Sequence, residues 1–136
     1  LAYRWKQKNS GEDMLKRIMI ATGGTGGHIY PAMAFADQCM QAGCEVLFLG
    51  GRLADNKYFN QNLYPFHSIS SGNFTKKDPV SLLYSAKAIF QGVNKSRKIL
   101  KQFKPEVAVG FGSFYSLPPL VAAKLQLIPL VLHEAN

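Results

Sequence analysis

Acidic residues are scarce in this chain: eight Asp and Glu stand against sixteen Lys and Arg in 136 residues, a formal charge of +8. Only 18% of residues are charged, so the excess is no evenly spread solubilising coat. It points to an anionic partner: nucleic acid, a phosphorylated ligand or an acidic membrane face. Cysteine is nearly absent as well. Cys39 and Cys44 are the only two, which excludes a disulfide framework and any cysteine-rich metal spacing; they read as free thiols of a reducing compartment. No apolar run reaches the roughly 18 to 20 residues that would span a bilayer, so no membrane-spanning helix is expected, although the protein can still lie on a membrane.

With 47% of its residues hydrophobic, the chain can bury one core, the size of a single typical domain. The opening "LAYRWKQKNSGED" has no helical or strand periodicity. Met14 reads as the natural start, residues 1–13 as a disordered extension, and residues 14–136 as one domain.

From Arg17 onward, short apolar runs alternate with helical patterns. "RIMIA", "CEVLFLG", "FHSIS", "PEVAVG" and "IPLVLHE" have the length and composition of buried parallel strands. Between them the spacing predicts a helix over Tyr30–Ala42 with Pro31 in its first turn, and a surface helix over "RLADNKYFNQNL". A long helix from Val80 to about Phe103 and a short one over Pro118–Leu125 follow. This alternation predicts an α/β fold, a doubly wound parallel sheet of Rossmann type.

Two glycine turns close strands of that sheet, where ligands of such folds bind. In "GGTGGH", Gly23, Gly24, Gly26 and Gly27 leave backbone amides accessible, and the next helix aims its N-terminal N–H groups at the same spot. That is chemistry for a diphosphate. Thr25 either donates to a phosphate oxygen or caps the helix. No lysine follows as in a Walker loop, and the spacing and later acidic residue of a dinucleotide fingerprint are missing. His28 falls in the first helical turn, where the dipole disfavours the imidazolium and leaves a ring able to accept a proton; a ring that only caps or packs is the alternative. In the second turn, "GFGSFYS", Gly110 and Gly112 come with Ser113 and Ser116. His133, Glu134 and Asn136 follow the last strand. Glu134 could orient a base or hold a sugar hydroxyl, and the Asn136 amide offers a hydroxyl both donor and acceptor. His67, in the weakest strand, reads as structural.

Together, "GGTGGHIYPAMAFA", "GFGSFYSLP" and "IPLVLHEAN", in that order and spacing, resemble the N-terminal half of the MurG-type glycosyltransferases, from about Leu15 to Asn136. The resemblance implies a Rossmann-like N-terminal domain of the two-domain GT-B architecture, carrying the acceptor and membrane side, with the C-terminal donor domain lying outside this chain. It implies transfer of GlcNAc from UDP-GlcNAc to the MurNAc 4-hydroxyl of undecaprenyl-linked lipid I, with inversion, in peptidoglycan biosynthesis, at the cytoplasmic face of the bacterial inner membrane. By motif match His28 is the candidate base, Thr25, Gly26, Gly27 and Asn136 the substrate contacts, and Gly23, Gly24, Gly110, Gly112 and Ser116 the acceptor-pyrophosphate contacts. The second turn departs from the family, whose members usually have paired glycines and "SGP" where Ser113 and Leu117 stand. No cofactor and no metal are expected, and the fragment alone is expected to be inactive.

The basic excess has a place in this reading. Lys76, Lys77, Lys87, Lys95, Arg97, Lys98, Lys101 and Lys104 crowd one loop and helix, interleaved with Leu82, Leu83, Ile89, Phe90 and Val93. Such a helix can lie on an anionic membrane; its alternative is an ordinary amphipathic helix with the apolar stripe on the sheet. Nucleic acid is not expected, because no matching motif or aromatic surface accompanies the charge. Two other readings compete: another GT-B enzyme, whether glycosyltransferase or UDP-sugar epimerase, and a non-catalytic membrane-docking module.

Overall fold

The computed structural model describes residues 16–72 and 77–133. Residues 1–13, Lys76, Glu134 and Asn136, on which expectations rest, lie outside the described residues. The centre is β1 (Arg17–Ala21), whose Ile18, Met19, Ile20 and Ala21 are all buried. It pairs in parallel with β2 (Glu45–Gly50) on one side and β4 (Val107–Gly110) on the other, placing Ile20 beside both Phe48 and Val109. β3 (Phe66–Ser68) and β5 (Leu130–Leu132) extend the sheet to the order β3-β2-β1-β4-β5. The expected doubly wound topology is present.

Side-chain alternation on the central strands creates two cores. Ile18, Ile20, Val46 and Phe48 meet Ile29, Ala32, Ala36 and Cys39 of α1 (Gly26–Gln41) on one face. Met19, Ala21, Leu47 and Leu49 meet Leu100 of α2 (Pro79–Phe103) and Ala122 and Ala123 of α3 (Leu117–Leu125) on the other. Cys39 is buried and Cys44 half-buried, and no disulfide joins them. Burial, and then the neighbouring Cys44, pushes the Cys39 thiol up to about 11.

Two local expectations need correction. The first helix begins at Gly26, a turn before Tyr30. The Thr25 carbonyl accepts from both the His28 and Ile29 amides, so the helix propagates back through the glycines. Pro31 therefore sits inside α1, where its missing N–H leaves the Gly27 carbonyl without its usual helical donor. The second correction concerns residues 52–63, which form no α-helix. A 3₁₀ turn at Leu53–Asp55 is followed by turns in which Asn56 Oδ1 accepts from the Tyr58 amide and Asn60 Oδ1 from the Asn62 amide. Asparagine side chains compete with helical bonding in this way, and the loop instead drops Leu53, Phe59 and Tyr64 into the α1-side core.

Candidate active site at two interlocked glycine turns

In this strand order the chain runs outward from β1 to β3, then crosses back to β4. The carboxyl ends of β1 and β4 thus flank the topological switch point, where open α/β sheets bind ligands. Both glycine turns are there, and they touch.

Gly24 and Gly112 have positive φ, 80° and 78°. A Cβ on Gly24 would lie 2.9 Å from Ser113 Oγ, and one on Gly112 would lie 2.8 Å from His28 Nδ1. Each turn therefore fills the space that the other's missing side chain leaves. Gly23 is closed by the Tyr115 side chain and Gly110 by Leu120, so these two glycines permit close packing between elements. Gly27 is different: it is exposed, and only Thr25 Oγ1, at 3.6 Å, would touch a Cβ there.

His28 is held from the second turn. Its Nδ1 lies 3.0 Å from the Phe111 carbonyl oxygen. A carbonyl only accepts, so Nδ1 carries a proton, and the tautomer this selects has its lone pair on Nε2. The His28 carbonyl accepts from Thr22 Oγ1 at 3.2 Å, fixing the backbone beneath the ring. The Thr25 side chain does not cap the helix, and the leading amides of its first turn, Gly26 and Gly27, precede the first helical bond, so their N–H groups are available to an anion.

The second turn is built around Ser113, whose Oγ accepts from the Tyr115 amide and whose carbonyl accepts from both the amide and the Oγ of Ser116. Ser116 is buried, and its hydroxyl proton is committed to that bond. Five of the candidate positions, Thr25, Gly26, Gly27, His28 and Gly112, thus come together at the switch point. Gly23, Gly24, Gly110 and Ser116 shape the turns behind them. His67 is largely exposed on edge strand β3, and the partial burial of its ring, followed by the Lys95 charge, lowers its pKa from the usual imidazole value. Among the described residues no group of three His, Cys, Asp or Glu side chains could hold a metal ion.

A pocket of about 380 Å³ opens beside the first turn, lined by Gly24, Thr25, Gly51, Arg52, Asp55, Asn56, Lys57, Tyr58 and Tyr115. Sequence reasoning assigned no site to the β2 side. The available signal was a second pair of glycines at a strand's carboxyl end, Gly50 and Gly51, leading into a basic residue.

Helix α2 turns one stripe inward, Ser85, Gly92, Ser96 and Leu100, at helical spacing. Outside it, Leu83 is 71% and Phe90 67% exposed, with Val80 and Tyr84 also exposed and Leu82 only marginally so. Lys87, Arg97, Lys98 and Lys101 are exposed beside them. Lys95 Nζ donates to the Ser68 carbonyl at 2.9 Å. No described helix is long and apolar enough to cross a membrane.

The model of the glycosyltransferase family 28 N-terminal domain matches residues 18–136. A Protochlamydia amoebophila protein is 46% identical over 125 residues, with 90% of this chain and 33% of its own length covered. A Lawsonia intracellularis protein is 42% identical over 129 residues, with coverages of 90% and 34%. Both are named UDP-N-acetylglucosamine–N-acetylmuramyl-(pentapeptide) pyrophosphoryl-undecaprenol N-acetylglucosamine transferase. The crystal structure of Acinetobacter baumannii MurG superimposes with a TM-score of 0.70 at 29% identity, over 89% of this chain and 36% of that one. A Streptomyces glycosyltransferase shares the fold, with a TM-score of 0.59 at 17% identity. The chain spans about a third of the length of the curated relatives it matches.

Proposed function

The chain belongs to the glycosyltransferase family 28 N-terminal domain family, and on that premise we propose that it is the N-terminal acceptor domain of a transferase moving GlcNAc from UDP-GlcNAc to the MurNAc 4-hydroxyl of lipid I. The observation that carries this reading is the hydrogen bond from His28 Nδ1 to the Phe111 carbonyl at 3.0 Å. It commits the proton-bearing nitrogen to the second turn and frees Nε2 to take a proton from an attacking hydroxyl.

In this mechanism His28 removes the proton from the sugar 4-hydroxyl, that oxygen attacks the anomeric carbon of the donor from the face opposite UDP, and UDP departs with inversion. The amides of Gly26 and Gly27, the Thr25 hydroxyl and the positive end of the α1 dipole meet phosphate charge at the cleft. Gly112 keeps the imidazole seated, and Glu134 and Asn136 would contact sugar hydroxyls. Most of the donor would be held by the other two thirds of a full-length enzyme. The enzyme would work as a peripheral protein at the cytoplasmic membrane face, with the exposed α2 stripe against anionic lipid.

The test joins this chain to the remaining two thirds of the Protochlamydia relative. The chimaera is expected to transfer GlcNAc to a lipid I analogue, and the 136-residue chain alone to give no turnover. His28→Ala in the chimaera is expected to lower kcat by about 100-fold or more while leaving UDP-GlcNAc affinity unchanged. Retained turnover removes His28 as the base, and transfer to other acceptors but not to the analogue removes the assigned reaction.

A further inference from the structure

We propose that the pocket on the β2 side of the first glycine turn is a second oxyanion subsite, which holds a phosphate or carboxylate carried by the acceptor. The proposal rests on reading the cleft as an acceptor site, and adds to it residues that the glycine motifs do not include.

The pocket has a preorganised floor. Tyr115 occupies the space that side chains on Gly23 and Gly51 would need, and its carbonyl accepts from the Gly51 amide at 3.1 Å. Asn56 locks the wall: its Nδ2 donates to the Gly24 carbonyl at 2.8 Å, while its Oδ1 accepts from the Tyr58 amide at 2.9 Å. The β2–β3 loop and the first glycine turn are thereby tied into one frame, so a ligand need not order them.

The charge of the lining selects the ligand. Arg52 and Lys57 line the pocket, against one carboxylate, Asp55. Among the described residues neither cation forms an ion pair. The Lys57 ammonium lies 5.1 Å from the centre of the Tyr58 ring, and Arg52 keeps its whole guanidinium fork available for bidentate contact. The Thr25 hydroxyl lies on the same wall, next to the positive end of α1. A neutral sugar needs hydroxyl partners, not two unpaired cations; a phosphate or carboxylate matches both. This pocket lies toward β2, while His28 is seated toward β4. An acceptor spanning the first turn could therefore place its reacting hydroxyl at His28 and a charged substituent at Arg52 and Lys57.

The test titrates the ¹⁵N-labelled 136-residue chain separately with inorganic pyrophosphate and with the dicarboxylate peptide N-acetyl-Ala-Glu. At least one probe is expected to shift the amides of Thr25, Arg52, Asn56 and Lys57. The Arg52→Ala/Lys57→Ala variant is expected to weaken that probe by at least about 10-fold, and Lys98→Ala/Lys101→Ala to leave it unchanged. A response to pyrophosphate alone assigns the phosphate source, a response to the peptide alone assigns the carboxylate, and a response to both supports the shared chemistry. The proposal is overturned if neither probe shifts these amides, or if the Arg52/Lys57 variant binds as tightly as the parent. In the chimaera, an unchanged acceptor KM in the Arg52/Lys57 variant overturns the subsite and leaves the transferase reading intact. Loss of transfer in the parent chimaera sinks the transferase reading whatever the titration shows.

Discussion

Ser113 shows what a single departure from a glycine motif costs. Its φ of 72° with ψ of 141° lies in a region that side chains rarely enter, and residues held in such regions cost of order 1–3 kcal/mol. Serine offsets part of this by accepting the Tyr115 amide on its own Oγ at 3.2 Å, a bond contributing about 0.5–1.5 kcal/mol. Glycine would remove the strain but lose that bond and more chain entropy on folding. Ser113→Gly is therefore expected to be nearly neutral in urea unfolding. Ser113→Ala keeps the strain and loses the bond, so it should destabilise by about 0.5–1.5 kcal/mol; a glycine variant less stable than the alanine variant would show that the backbone at 113 stores no appreciable strain. The sequence disclosed the departure but not its remedy, because the remedy depends on where the Tyr115 amide lies. His28 is similar. Its place in the first helical turn was legible from "GGTGGH", whereas its Phe111 partner, 83 residues away, follows only from the β1–β4 pairing.

At the scale of elements, the strands were legible because each is a short apolar run bounded by glycine, proline or polar residues. The segment 52–63 was not. Its buried residues Leu53 and Phe59, with Tyr64 just beyond it, follow neither helical nor strand spacing, and its asparagines bond locally. The long helix α2 was legible at both ends, and its start carries a testable dependence on acid. Asp78 Oδ2 accepts from the Ser81 amide at 3.1 Å. Bonds from Ser81, through its hydroxyl first and then its amide, hold the Asp78 carboxyl below its ordinary range. A depressed carboxyl stabilises the fold above its unfolded-state value and loses that contribution as pH falls through the folded-state value. Asp78→Ala should therefore lower Tm at pH 7, and the gap from the parent should shrink in acid below the ordinary carboxylate range. Asp78→Asn, which caps without ionising, should keep most of the parent's Tm at pH 7 and shed the acid dependence at this site. A gap that stays constant into acid would mean that the ionised carboxylate contributes nothing.

At the scale of the whole molecule, sheet topology decides where a membrane would stand relative to the cleft. Helix α2 joins the end of β3 to the start of β4, so its first turns lie at the carboxyl edge of the sheet, the same edge as the glycine turns. Exposed Val80, Leu83 and Tyr84 are there, with Phe90 further along. At 1.5 Å per residue, Arg97, Lys98 and Lys101 continue the exposed surface for roughly another 15 Å. A protein lying on this helix would hold its cleft close to the bilayer, within reach of a lipid-linked acceptor. Each cation near an anionic surface contributes about 1 kcal/mol, so replacing Arg97, Lys98 and Lys101 by Gln should weaken binding to phosphatidylglycerol vesicles by roughly 100-fold. Leu83→Gln/Phe90→Gln removes apolar insertion worth about 1.5–3 kcal/mol per fully buried side chain, and should weaken binding even in high salt, where the cationic contribution is screened. Lys95 belongs to a different class despite its charge. Its ammonium is bonded to the Ser68 carbonyl, so Lys95→Gln should lower stability more than vesicle affinity. Co-sedimentation of the folded variants separates these effects: equal binding by parent and Leu83/Phe90 variants, or equal binding to neutral and anionic vesicles, would mean that this face of α2 does not meet the membrane.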